Sequence, residues 1–247
     1  MESEEAAPVP AISTFTGGVD EMAEQFPELV DMRKVRISID EAFNWIVEHW
    51  GAALEEIFLP VVHLLIAIEN FLLWLPWYVV IIIISGLGFV ATRGWKTAAS
   101  LGAMTFLLGF FGLWDPGMKT IALMLTATLF AVIIGIPLGI WMSRSDRVER
   151  AILPVLDIMQ TMPIFVYLIP FVMLFGPGKI PALLATIVFA VPPVIRLTNL
   201  GIRQVDREVI EAYTAFGATK RQLLFSVQVP LAMPTIMAGI NQTTMMA

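Results

Sequence analysis

TIALMLTATLFAVIIGIPLGIWMS, Thr120 to Ser143, holds no charged side chain. As a helix rising 1.5 Å per residue it would reach about 36 Å, more than the ~30 Å of a bilayer's hydrocarbon core. Further uncharged runs cover Phe71 to Thr92, Thr97 to Trp114, Ile158 to Gly178, Ile180 to Ile195 and Gln222 to Ala247. One such run could be a buried core helix, but six in series exceed what a soluble chain of 247 residues can bury. Charged residues make up 15% of the chain, against about a quarter in soluble domains. The fold class is therefore all-α, a polytopic helical membrane protein. Its spans are expected over about 71–92, 97–114, 119–143, 154–176, 180–202 and 222–247.

The net charge of −6 is unevenly placed. Residues 1–41 carry ten acidic and three basic side chains, and the rest of the chain is close to neutral. The acidity belongs to the N-terminal tail, and no basic surface points to nucleic acid. The absence of cysteine excludes disulfides and thiolate metal sites. MESEEAAPVPAIS lacks the basic and apolar regions of a cleavable signal peptide.

Residues 1–36, rich in Glu, Pro, Gly and Ser, are expected to form a loosely ordered tail. Ser38-Ile39-Asp40-Glu41 has the form of a capping box. Phe43, Ile46, Val47, Trp50, Leu54, Ile57, Phe58, Val61, Val62 and Leu65 follow at helical spacing. An amphipathic helix over 37–70 is expected, lying at the membrane surface or packed against the bundle. His49 and His63 fall on it without ligand partners at metal spacing, so no metal site is read there.

Orientation follows from the basic residues. Alternate connections carry Arg93 and Lys96; Arg144, Arg147 and Arg150; and Arg203, Arg207, Lys220 and Arg221. The intervening connections carry only Lys119 and Lys179. Nine against two is a positive-inside bias that puts the first set in the cytoplasm and the N-terminal tail outside. Pro137, Pro163, Pro170, Pro192, Pro193, Pro230 and Pro234 fall within the expected spans. Each removes a helical hydrogen bond, a feature of helices that line a pathway and equally of helices kinked for packing.

Residues 205–222 form the largest polar interruption between late spans, and the bias makes them cytoplasmic. Asp206 suits an N-cap, Gly217 a left-handed helix end, and Thr219 the cap of a second short helix. Tyr213, Phe216, Lys220 and Arg221 then project into the cytoplasm, the residue types that anchor interfaces with soluble partners.

Glu211-Ala212-Tyr213, three residues, Gly217, nine residues, Val227, one residue, Val229-Pro230 resembles the E-A-A-x3-G-x9-I-x-L-P signature of ABC importer membrane subunits. Tyr213, Val227 and Val229 depart from it conservatively. Residues 136–141, 159–168 and 229–243 are similar to the glycine betaine/proline uptake permeases, and the likeness covers roughly 70–247. It implies a type I importer transmembrane fold in the bacterial inner membrane. Glu211, Ala212, Tyr213, Phe216, Gly217, Lys220, Arg221 and Pro230 would then belong to the element that couples to an ATPase. The resemblance further implies an external substrate-binding protein and a second permease copy, giving a homodimer. Members of the family continue beyond Asn241-Gln242, so the chain is expected to be truncated at its C-terminus.

No G-x4-G-K-[ST] loop occurs, so ATP and Mg are expected on the partner and no catalytic group or cofactor on this chain. A betaine's quaternary ammonium favours aromatic faces and its carboxylate needs donors. Phe165, Tyr167, Asn241 and Gln242 are the candidates for its pathway, and the same side chains equally suit interhelical packing. Asp157 is expected in the first turn of a helix opened by Pro154, and Arg196 near a cytoplasmic helix end, both in structural roles. Choline, trimethylamine oxide or another small solute are alternative cargoes. An ATP-independent secondary transporter is the rival mechanism, for which intramembrane coupling carboxylates and internal repeats are missing.

Overall fold

The computed structural model describes residues 32–247. The expected tail over 1–36 lies outside the described residues, except that 32–36 are already helical. The first helix, α1 (Met32–Trp74), runs through Ser38, so the capping-box sequence sits inside a helix and starts nothing. The chain divides into two compact units, residues 1–50 and 51–247. Within the first, His49 Nδ1–H donates to the Trp45 carbonyl at 2.9 Å and the two rings stack at 4.6 Å.

In the second unit α1 continues to Trp74, past the boundary expected at residue 70. Its stretch Ala53–Trp74 is long and apolar enough to cross a membrane. The uncharged run beginning at Phe71 is not one helix, because Pro76 interrupts it. Proline forces the preceding residue into extended geometry and cannot continue the hydrogen-bond ladder. Pro76 becomes the N-cap of α2 (Trp77–Thr92), which pairs with α3 (Trp95–Phe110) as a helical hairpin. Arg93, at φ 50°, turns the chain between them. Each hairpin helix has 16 residues, or about 24 Å.

The bundle proper begins with α4 (Trp114–Ser143). Next come α5 (Asp146–Thr161) and α6 (Ile164–Phe175), bent by 92° at Met162-Pro163. The span expected over 154–176 is therefore two helices, and it opens at Asp146 rather than Pro154. Met162 takes an extended ψ of 134° before Pro163, which has no N–H to rejoin the ladder. α7 (Lys179–Arg203) accommodates Pro192 and Pro193 without breaking, buried among its neighbours. α8 (Arg207–Ala215) and α9 (Lys220–Leu223) precede a π-turn (Leu224–Gln228) and α10 (Val229–Met246). Among the described residues four helices are long and apolar enough to cross a membrane, or five if the bent α5–α6 pair counts as one span.

α7 is the hub, with both flanks packed against helices. In lipid no hydrophobic force drives helix onto helix, so association depends on close packing of small residues. Gly135 and Gly139, four apart on α4, supply that surface. A methyl group on Gly139 would lie 2.6 Å from Thr198 Cβ and 2.8 Å from the Ile195 carbonyl of α7. On the other flank a methyl on Gly201 would meet Thr235 Cβ at 2.9 Å, and one on Gly239 would meet Leu197 Cβ at 3.0 Å. Ala122, Ala127 and Ala131 of α4 continue the close contact with Leu183, Ile187, Val191 and Ile195 of α7; Leu156 and Leu65 complete that core. Ile202, Leu224, Ala232 and Ile236 form a second core below the polar segment.

Candidate functional site: a polar helix pair at the base of the bundle

The polar segment folds by local rules. The Asp206 carboxylate accepts the Glu208 N–H at 2.9 Å and starts α8. At the other end Gly217 takes φ 83°, a conformation that costs an L side chain roughly 1–2 kcal/mol. The Gly217 N–H then reaches the Thr214 carbonyl at 2.9 Å, and the Ala218 N–H reaches Tyr213 at 3.1 Å. Those two bonds are the paired closures of a Schellman helix end. Thr219 opens α9 with a reciprocal capping box: its hydroxyl accepts from the Gln222 N–H, and Gln222 Oε1 accepts from the Thr219 N–H at 2.9 Å. Three caps in about a dozen residues hold a short element that would be marginal alone.

What this scaffold presents is an outward-facing aromatic and basic surface. Phe216 is 92% exposed and Tyr213 46%, and Glu211, Ala212, Gly217, Lys220 and Arg221 are exposed as well. Pro230, also exposed, plays a different part. It has no N–H to give the Ser226 carbonyl, and just before it the Val229 N–H reaches back five residues to Leu224. The resulting π-turn joins the polar pair to α10, with Leu224 and Val227 buried. Such turns recur at functional positions in helices.

A second cluster binds this element to the bundle. Arg203, the last residue of α7, lies three residues before the Asp206 cap. Its Nη1 meets Asp146 Oδ1 at 2.8 Å and its Nη2 meets Glu149 Oε2 at 3.0 Å. The same Nη2 donates to the Met142 carbonyl at 3.2 Å, and Nε donates to Asn199 Oδ1 at 3.0 Å. Asn199 Nδ2, on a buried residue, donates in turn to Glu149 Oε1 at 2.8 Å. Further along the same helices Arg196 pairs with Asp157. The pairs run in opposite order along the two helices, so α5 lies antiparallel to the C-terminal half of α7. Asp157 sits in the last turn of α5, not the first turn expected, because the helix opens eight residues before Pro154. The sequence counted Arg203 only towards orientation and did not single out Asn199, Asp146 or Glu149. The available signal was the four-residue spacing of Asn199 and Arg203 beside the acidic first turn of α5.

The four pathway candidates are not brought into one cluster. Phe165 and Tyr167 lie on α6, and Asn241 and Gln242 on α10; both helices pack on α7. Phe165 is 68% exposed, and Asn241 and Gln242 are exposed. The Tyr167 hydroxyl is engaged, donating to the Met159 carbonyl at 2.6 Å across the α5–α6 break.

The sequence was compared with those of known proteins. Residues 131–246 match the family described as the binding-protein-dependent transport system inner membrane component. The chain is 48% identical over 235 residues to the glycine betaine/proline betaine transport system permease protein ProW of Escherichia coli, covering 91% of this chain and 64% of that protein. It is 41% identical over 210 residues to the glycine betaine transport system permease protein OpuAB of Bacillus subtilis, covering 85% and 74%. The glycine betaine/carnitine transport permease protein GbuB of Listeria monocytogenes is 48% identical, with 70% and 62% covered. The chain thus spans about two thirds of the length of the E. coli relative and 44% of the ProW protein of Salmonella typhimurium. It belongs to the family of inner-membrane components of binding-protein-dependent transport systems.

Proposed function

We propose that the chain is the membrane-spanning subunit of an ATP-driven importer for glycine betaine and related betaines. The observation that carries the reading is the exposed, triply capped helix pair of residues 205–222, seated on the bundle through buried Val205, Leu224 and Val227. An aromatic as open as Phe216 on a rigid support has the chemistry of a protein-docking anchor. On this reading a separate ATPase receives Phe216, Tyr213 and the Lys220–Arg221 pair, and supplies ATP and Mg. An extracytoplasmic binding protein delivers the solute, and a second copy of the chain completes the pathway. The chain itself then works as a moving part and not as an enzyme.

The betaine assignment is supported by the order of similarity. Trimethylamine N-oxide permeases are 34% and 38% identical, and a choline permease of B. subtilis 36% over half the chain. We place the N-terminal tail outside. The contact of Phe58 with Phe175, 5.9 Å between ring centres, supports this, because it brings the start of the apolar stretch of α1 beside the connection that the charge bias puts outside.

The test is uptake of labelled glycine betaine into proteoliposomes holding the full-length subunit with its ATPase and binding protein. Uptake should require ATP, and Gly217→Val should abolish it by straining the left-handed turn. ATP-independent uptake, or normal uptake with normal ATPase association in the variant, would sink the reading.

A further inference from the structure

We propose that Arg203 is the residue that carries force from the polar helix pair into the bundle; this rests on the importer reading above. Every nitrogen of its guanidinium is engaged, Nε by Asn199, Nη1 by Asp146, and Nη2 by Glu149 and the Met142 carbonyl. Those partners belong to three helices. Met142 lies in the last turn of α4, Asp146 and Glu149 in the first turn of α5, and Asn199 one turn back on α7. A planar fork with fixed donor directions holds such partners in one relative geometry, which a lysine ammonium does not. The C-terminal carbonyls of α4 and the two carboxylates are all favourable neighbours for a cation.

Position makes the cluster more than a structural tie. Along the chain, displacement of α8 reaches α7 first at Arg203, two residues before the coupling segment begins, while a second route runs through α9 and the π-turn to α10. From Arg203 it divides into the α4–α5 corner. α5 is held to α7 a second time near its end by Leu156, buried against Ile187, Val191 and Ile195, with the Asp157–Arg196 pair beside it. Held at both ends, α5 follows α7 as a rigid lever. The first place free to bend is Met162-Pro163, where the axis already turns by 92° and the Tyr167 hydroxyl bridges the break. A stroke on the polar helix pair therefore arrives as a change of angle between α5 and α6. Glu149 is the partner that counts most: it is 23% exposed and braced by Asn199, whereas Asp146 is 76% exposed and screened by water.

The reconstituted full-length complex tests this through the number of betaine molecules imported per ATP hydrolysed. Measured on complex purified with its ATPase bound and freed of unassembled ATPase, that ratio does not depend on how much complex forms, so a residue needed only for folding would leave it unchanged. Arg203→Gln should lower the ratio about tenfold while the ATPase remains bound, and Arg203→Lys should fall between variant and wild type. Glu149→Gln, which keeps Arg203 and its other partners, should lower it as well and serves if Arg203→Gln gives no complex. A wild-type ratio in either glutamine variant would overturn the proposal. Failure of the wild-type complex to import would instead overturn the importer reading.

Discussion

Phe216 is exposed almost completely, so it contributes nothing to the stability of this chain. Phe216→Ala should leave thermal unfolding of the subunit unchanged and weaken ATPase association by about 2 kcal/mol, roughly thirtyfold, as loss of an interface anchor does. Titrating purified ATPase against detergent-solubilised subunit reads both. Unchanged affinity would remove Phe216 from the interface. Thr219 gives the opposite signature. Thr219→Ala removes one side of the capping box, at a cost of about 1 kcal/mol, and should raise hydrogen exchange over residues 219–223 without touching the bundle. These local features were legible from sequence because each depends on residues within five positions: Asp206 with Glu208, Gly217 with Thr214, Ala218 with Tyr213, Thr219 with Gln222. The Arg203 cluster was not, since it joins residues 50 or more positions apart whose meeting depends on the antiparallel course of α5 and α7.

At the scale of elements, the packing of α7 against α4 is set by glycine and alanine. Gly139→Val would push its side chain into Thr198 and the Ile195 backbone, and backbone cannot yield as a flexible side-chain end can. It should destabilise the chain by about 1–3 kcal/mol, seen as a lower midpoint of thermal unfolding in detergent. A midpoint equal to the wild type would show that the two helices are not in close contact. Proline explains most of the differences between expected and observed helices. Pro154 suits a helix start, but Asp146 and Glu149 already supply a favourable acidic first turn upstream. Pro76 and Pro163 both break the chain, whereas Pro192 and Pro193 do not. Composition alone does not separate these cases, because buried neighbours on α4 and α10 hold α7 continuous. The π-turn is illegible for a related reason, since a wider turn leaves the same apolar pattern as an α-turn.

At the scale of the whole molecule, the absence of cysteine makes topology directly measurable. In intact cells a membrane-impermeant maleimide should label Pro177→Cys, between α6 and α7, and spare Glu208→Cys, which should react only after the membrane is opened. Ser38→Cys should label with Pro177→Cys. The reverse pattern at 177 and 208 would invert the orientation drawn from the basic residues. Labelling of Ser38→Cys only in opened cells would make Ala53–Trp74 a true span. The charge bias draws sidedness from a sum over many connections. It says little about α1, whose apolar half suits a surface or a span equally by composition.

The central claim is that residues 205–222 dock on an ATPase. Phe216→Cys, in a stretch of 247 residues that holds no other cysteine, can carry a photoactivatable crosslinker in the full-length complex with ATPase and binding protein, any cysteine elsewhere being replaced first. The account predicts that illumination joins the subunit to the ATPase in high yield, and that the yield changes when ATP is added. A probe at Phe216 that captures only lipid or nothing, in a complex that still imports betaine, would contradict it.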